Sequence, residues 1–419
     1  MTTTTLKTPV CILGAGPAGA SAALKLNKLN VPCIVVDKAQ FPRDKICGDG
    51  LSHRVTDIMK RWLYPELFEK FAAATDIQLD SWGLRVEGTR RNAFDIGYRA
   101  HYNKKTDAPP GFTCKRMWFD NFLVNEVKTA HNVQLFENTE ITAFTKTENG
   151  WLLTDKNNTL QIETQLLLVA DGAHSRFART IAGIELDAQH NMASVKTYYK
   201  NVEPLHPDNY LEFYFLENFL PGYFWVFALP NNEVNVGIAM VSAEVAKRKL
   251  NLKNCLEEII TENPIFKERF KNAEHIAPIQ GFGLPLASKK RQLSGAHYLL
   301  LGDAASLIDP LTGEGIANAM LSGVVAAEQA HKCVTTNNFS SEELEKYNTR
   351  IYRMRGEEFR VSYWLQQQFR KKWFFNSLSW IVAKNKPLAR TFAYVFNDVN
   401  LKKQLRSPAF WWSIVRNKV

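Results

Sequence analysis

Gly14, Gly16 and Gly19 in "GAGPAG" stand at GxGxxG spacing, and Asp37 follows eighteen residues after the last of them. The first glycine permits a tight turn, the second lets a pyrophosphate reach the backbone, and the third lets a helix close on a strand. Phosphate oxygens would meet N–H groups at the helix N-terminus, and the acid closing the next strand would accept hydrogen bonds from an adenosine ribose. The pattern predicts a dinucleotide site. Just beyond it, "RDKICGDGLS" sets Cys47 among Arg43, Lys45, an acid and two glycines. Cationic surroundings favour a reactive thiol, so Cys47 is a candidate proton donor or redox-sensitive group. It is also a small hydrophobe that fits between packed glycines, and both readings stand.

Two later segments decide between dinucleotides. "LLLVADGAHSRFAR" reads as a buried strand ending at Asp171 and Gly172. "HYLLLGDAASLIDPLTGEGIANAM" reads as another, ending at Gly302 and Asp303 and followed by Pro310, Gly313, Gly315 and Ile316. An acid at the mouth of a strand can bind a sugar or ribityl hydroxyl, and a glycine turn opening a helix offers N–H groups to an anion. A simple nicotinamide dehydrogenase has no need of these additions, so the set points to FAD.

The elements that would position these residues are legible in outline. "TPVCILGAGPAGASAALKLNKLN" predicts a strand, a glycine turn and a helix begun by Pro17, and "VPCIVVDK" predicts the next strand, a βαβ opening. The Thr run at 2–5 reads as a frayed end. Between 187 and 290 the pattern becomes alternating strands with "PNNE" as a turn, and Val234, Val236, Ile238 and Met240 share one strand face. Tyr223 and Trp225 are read on one face of their strand, with Phe224 and Phe227 on the other. From Ser340, with Glu343 three residues on, a capping box opens a long helix. We expect a Rossmann-like cofactor domain at 1–186, with an excursion near 79–110, that resumes at 291–339. An antiparallel substrate domain is inserted at 187–290, and a helical, basic, aromatic region follows at 340–419.

These segments together resemble the glutathione-reductase-like FAD superfamily over roughly residues 8–325, in the branch of aromatic hydroxylases, flavin-dependent halogenases and geranylgeranyl reductases. Within it, "FPRDKICGDGLS", "PGYFWVF", "NVGIAM" and "DPLTGEGIANAMLSG" look most like the geranylgeranyl reductase family. The resemblance implies a mixed fold: a Rossmann-like FAD-binding domain (α/β) with an inserted antiparallel β-sheet substrate domain (α+β) and C-terminal helices. It implies FAD held by Gly14, Gly16, Gly19, Asp37, Lys38, Arg43, Gly48, Arg116, Asp171, Gly302, Asp303, Pro310, Gly313, Gly315 and Ile316, with Arg43 at the pyrophosphate and Arg116 at the sugar-phosphate region. Cys47, Tyr223 and Trp225 would face the place where flavin meets substrate. The implied activity is hydride transfer from reduced flavin to C=C bonds of an isoprenoid or related lipid. The alternative on the same fold is a flavin-dependent monooxygenase or halogenase, although this chain has "YFWVF" where halogenases commonly carry WxWxIP. In the hydroxylase pattern DGxxSxxR, Ala178 replaces the arginine. No second complete GxGxxG is present, so the electron donor stays open between NAD(P)H, ferredoxin and another carrier protein.

Bulk properties set outer limits. The net charge of +10 is carried wholly by residues 370–419, which hold eleven Lys/Arg against Asp398 alone. Together with Trp373, Phe374, Phe375, Trp380 and the helical spacing of Phe392, Val395, Phe396 and Val399, this suits either peripheral contact with an anionic membrane or packing on the protein. Nucleic acid is the weaker reading for a charge so localised. Six scattered cysteines without a CxxC pair give no zinc site and no disulfide framework. Apolar runs too short to span a bilayer and an early glycine motif predict a cytoplasmic protein.

Overall fold

The computed structural model describes residues 3–88, 92–98 and 102–384. Its first sheet has five parallel strands in the order Val133–Phe136, Cys33–Val36, Thr4–Leu13, Leu160–Val169 and Tyr298–Leu300. Their apolar runs are buried on both faces, as parallel strands require. Thr4 and Thr5 pair with Leu160 and Gln161, so the expected frayed end is in part a strand: ladder hydrogen bonds to a neighbour outweigh a run of small polar residues. Strand order reverses between Thr4–Leu13 and Leu160–Val169, and a crevice opens at the carboxyl ends of these two.

Pro17 begins the helix Pro17–Lys28, whose fixed φ suits the first turn. A second helix, Ile316–Thr336, lies along it. The contact is so close that a Cβ on Gly323 would stand 2.1 Å from the Ala18 carbonyl oxygen. Cys11 and Cys33 are buried strand residues, and burial raises both thiols, Cys33 to about 12.

The second sheet is mostly antiparallel and runs Glu274–His275, Asn191–Lys200, Glu233–Val241, Tyr223–Ala228, Leu211–Tyr214, Gly83–Glu87 and Ala93–Gly97, with Gln280–Pro285 also on Asn191–Lys200. Asn231 and Asn232, both at positive φ, make the hairpin turn, the pairing geometry a two-residue loop favours. Val234, Val236, Ile238 and Met240 bury one face against the helices Leu252–Glu262 and Pro264–Phe270, together with Phe224 and Val226. Phe227 does not share that face. It lies with Tyr223 and Trp225 on the opposite one, because side chains alternate with a period of two.

Two further helices, Ser341–Gln368 and Lys372–Lys384, close the second sheet's outer end. Ser340 caps the first by accepting from the Glu343 N–H at 3.3 Å. The reciprocal half of the box is missing: the Glu343 carboxylate takes Gln329, Lys332 and Lys346, while the Ser340 N–H donates to Asn338 Oδ1. The stretch containing Phe392, Val395, Phe396 and Val399 lies outside the described residues.

The helix contact at Gly323 yields a paired prediction. Gly323→Ala forces a methyl into backbone and should cost about 1–3 kcal/mol, read as a lower Tm in calorimetry. Gly356→Ala, in a helix interior where the new methyl meets the Tyr352 side chain at 3.4 Å, should be neutral or stabilising by up to about 1 kcal/mol.

Candidate functional site

A continuous cavity of about 510 Å³ runs from the crevice of the first sheet to the helices at the far end of the second. Gly14 has φ +100°, and a Cβ there would sit 2.5 Å from the Ala170 oxygen. On Gly19 it would sit 1.8 Å from the Gly14 oxygen, inside the helix–strand contact. On Gly16 it would meet only Arg43, at 3.6 Å, so nothing in the fold demands that glycine. The open backbone there is what a pyrophosphate could approach.

Asp37 lines the cavity with both oxygens already accepting backbone N–H groups, from Ala15 at 2.7 Å and from Ala39 at 2.9 Å. Its first task is therefore to hold the glycine turn. Arg43 and Arg116 share the buried Asp120: Arg116 grips it with two hydrogen bonds of 2.7 and 2.8 Å, and Arg43 stands 3.0 Å from it. Lys45 pairs with Asp303 at 2.9 Å. Asp171 sits at the mouth of its strand with Oδ1 buried and, among the described residues, without a hydrogen-bond partner. Burial pushes its carboxyl up to about 6, against the opposing pull of the Ser175 hydroxyl and Lys38. Gly48, Gly313, Gly315 and Ile316 also line the cavity.

Three expected cofactor residues are not on the wall. Gly19 is inside the helix–strand contact, Gly302 at φ +55° turns the chain beneath Ala319, and the Pro310 carbonyl accepts from Gln366 at 2.5 Å. A glycine or proline fixes a backbone path, and such a path can shape a site from behind it.

Cys47, Tyr223 and Trp225 do converge on the cavity, held by residues that the sequence reading missed. Asn235, fully buried, accepts from Trp225 Nε1 at 2.8 Å and donates to the Cys47 carbonyl at 2.8 Å and to Asp49 Oδ2 at 2.7 Å. Asp49 is fully buried at φ +65°; it also accepts from the Tyr198 hydroxyl at 2.7 Å and the Arg116 N–H at 3.2 Å. Burial raises its carboxyl, opposed by Lys196 and by these donors. The Cys47 side chain is among the groups near the Arg116 guanidinium that favour its charged form, after the buried Asp120. A sequence signal existed for Asn235 and Lys196: each is a polar residue inside an otherwise apolar strand. Beyond Tyr223 the wall becomes apolar, through Phe213, Phe215, Leu365, Phe369, Phe375 and Leu378.

Comparison with known proteins now separates the possibilities. Residues 7–354 match the family described as FAD binding domain. The chain belongs to that family. Digeranylgeranylglycerophospholipid reductase 1 of Methanosphaera stadtmanae is 26% identical over 95% of this chain and 87% of its own length. Menaquinone reductase of Mycolicibacterium smegmatis is 28% identical over 76% of this chain and 75% of its own. Among solved structures, a geranylgeranyl bacteriochlorophyll reductase-like protein from Thermoplasma acidophilum superposes with a TM-score of 0.80 at 23% identity, covering 96% of this chain and 99% of that one, a likeness of fold. The fold is that of the FAD-binding family, with a mixed α/β architecture of several sheets.

The residues present fit such a cofactor. The backbone at Gly16 is open, cations at Lys38, Arg43 and Lys45 line the same cavity, and Asp171 offers a buried acceptor oxygen with no partner among the described residues. Asp171 gives a pH prediction. Its folded-state carboxyl lies near 6 and its unfolded one near 3.8, so above about pH 6 the folded apoprotein holds a charge that burial disfavours. Asp171→Asn should stabilise the apoprotein by about 1–2 kcal/mol above pH 6, the gain fading to nothing below pH 4, while FAD affinity falls. Thermal melts across pH and flavin titration check both halves.

Proposed function

We propose that this protein is an FAD-dependent reductase that hydrogenates C=C bonds in the chain of an isoprenoid or related lipid. The observation that carries the reading is the cavity's two-part wall, glycine turns and cations at one end and Phe213, Phe215, Leu365, Phe369, Phe375 and Leu378 at the other. A long apolar chain can lie in the second part with one double bond brought to the first. When bound, reduced FAD supplies the hydride. In this reading the Gly14–Gly19 turn, Asp37, Lys38, Arg43, Asp171 and Asp303 hold the cofactor, Arg116 orders the Cys47 turn through Asp120 and the thiol, and Gly313–Ile316 border the ring system. Tyr223 and Trp225 press the substrate chain toward it. The relatives named as reductases of digeranylgeranyl lipid and of menaquinone support an isoprenoid substrate.

The electron donor is proposed as NAD(P)H or a ferredoxin-type carrier that docks transiently. Contact with a membrane surface is proposed through Lys372–Lys384. This helix buries Phe375, Leu378 and Val382 against the cavity wall and leaves Trp373 and Trp380, one face apart by two turns, 67% and 51% exposed beside Lys371 and Lys372. Among the described residues no helix is long and apolar enough to cross a membrane.

The deciding test is product mass after anaerobic incubation of the dithionite-reduced, FAD-loaded protein with a geranylgeranyl lipid. Gain of two hydrogens per double bond is expected. Product bearing oxygen or halogen, formed only in air, would assign a monooxygenase or halogenase instead. Leu365→Trp should abolish turnover of the full-length chain and spare a short isoprenyl analogue, measured as kcat/KM for each.

A further inference from the structure

On the cavity face of the strands Asn191–Lys200, Tyr223–Ala228 and Glu233–Val241, the side chains around Lys196 that bear a donatable hydrogen are committed. Ser194 Oγ donates to the Phe282 carbonyl at 3.0 Å, Tyr198 to Asp49 at 2.7 Å, Tyr223 to the Thr312 carbonyl at 3.0 Å, Trp225 Nε1 to Asn235 at 2.8 Å, and Asn235 Nδ2 to the Cys47 carbonyl at 2.8 Å and Asp49 at 2.7 Å. Lys196 is not. It is 2% exposed, lines the cavity, and its Nζ has no hydrogen-bond partner among the described residues. The Tyr198 ring lies below it, 3.7 Å from the Nζ. A buried ammonium with unsatisfied N–H groups is costly to keep unless it has a use.

Register places Lys196 where a use exists. It pairs across the sheet with Gly237, which pairs in turn with Trp225. A Cβ on Gly237 would stand 2.3 Å from the indole, so the absent side chain lets Trp225 lie over the strand toward Lys196. We propose that Lys196 is the acid that protonates the alkene carbon, a role that rests on the reductase reading above. One carbon of the double bond receives the hydride of the bound reduced flavin. The π pair forms a C–H bond at the other carbon with a proton from Lys196, whose N–H bond breaks to leave a neutral amine. The alkene would gain the two electrons of the hydride that bound reduced FAD would supply, and water would return the proton to Lys196 after product leaves.

The surroundings suit that cycle. Burial lowers the ammonium from its ordinary value, opposed by Asp49, Asp44 and Cys47 and aided by Lys115, which also stands over the Tyr198 ring at 4.7 Å. A lysine shifted this way releases its proton more readily than an exposed one, and reduction should slow as pH rises through its titration. The committed hydroxyls of Tyr198 and Tyr223 are displaced in the unhelpful direction, raised by burial.

The test compares Lys196→Met and Lys196→Arg, since arginine keeps the charge and cannot release a proton. Both should bind FAD and be reoxidised by ferricyanide at the wild-type rate, yet reduce lipid about 10²–10⁴-fold more slowly. In apoprotein labelled with ¹³C-lysine, the ¹³Cε resonance missing from Lys196→Met should titrate below the ordinary lysine range. Lipid reduction near the wild-type rate in Lys196→Arg, loss of FAD from Lys196→Met, or an ordinary titration would each overturn the proposal while leaving the reductase reading in place. A wild-type protein that never hydrogenates lipid would overturn the reductase reading and this proposal with it.

Discussion

A buried carboxylate, Asp49, fastens the two halves of this molecule together. It sits in a left-handed backbone position inside the turn that carries Cys47 and accepts hydrogen bonds from a strand of the second sheet (Tyr198), from its neighbour (Asn235), and from the start of the helix that opens at Arg116. An ionised carboxylate out of contact with water is unfavourable by several kcal/mol, and charge-assisted bonds from three donors offset that cost only while all three stay in place. The turn can therefore occupy one position relative to the sheet. Because Asn235 uses its remaining groups on Trp225 and the Cys47 carbonyl, the same constraint sets the distance between the turn and the aromatic wall.

The consequence is a cavity whose ends differ in character and whose middle is rigid. At the crevice end, cations are matched to acids: Arg43 and Arg116 to Asp120, Lys45 to Asp303. An anionic cofactor meets a preorganised field there instead of loose side chains that must be ordered on binding. At the other end the helices Ser341–Gln368 and Lys372–Lys384 contribute apolar residues and exclude water. Hydride transfer to an unactivated alkene benefits from both properties, because a dry site leaves no competing acceptor and strengthens each fixed charge.

The parts of this arrangement that depend on local spacing were legible in the chain. The glycine turn, the βαβ opening, the Asn-Asn hairpin and the burial of alternate valines all follow from short-range geometry. Phe227 falls on the cavity face that strict alternation assigns it, not with Phe224, and the strand character of Thr4 and Thr5 is invisible locally because their pairing with Leu160 and Gln161 joins residues far apart in sequence. Asp49 and Asn235 could not have been assigned their tasks from spacing, since their contacts span some 150 to 190 positions. Residue type and spacing suggest Arg43, Arg116 and Asp37 as ligands of the cofactor, whereas much of their bonding capacity goes to neighbouring protein groups. A residue type announces which bonds it can make; the tertiary fold decides how many are left over.

That remainder distinguishes a structural polar group from a chemical one. Along the sheet face, hydroxyl and indole hydrogens are each consumed by a carbonyl, a carboxylate or an amide, and their burial is thereby made inexpensive. Lys196 departs from the pattern of its strand and of the two beside it, and it does so opposite Gly237, where a missing side chain opens the approach from Trp225. Its position also depends on Asp49, through Tyr198, whose ring carries the ammonium and whose hydroxyl holds the carboxylate. The interaction that ties the two sheets together is thus the one that holds an unspent proton over the cavity.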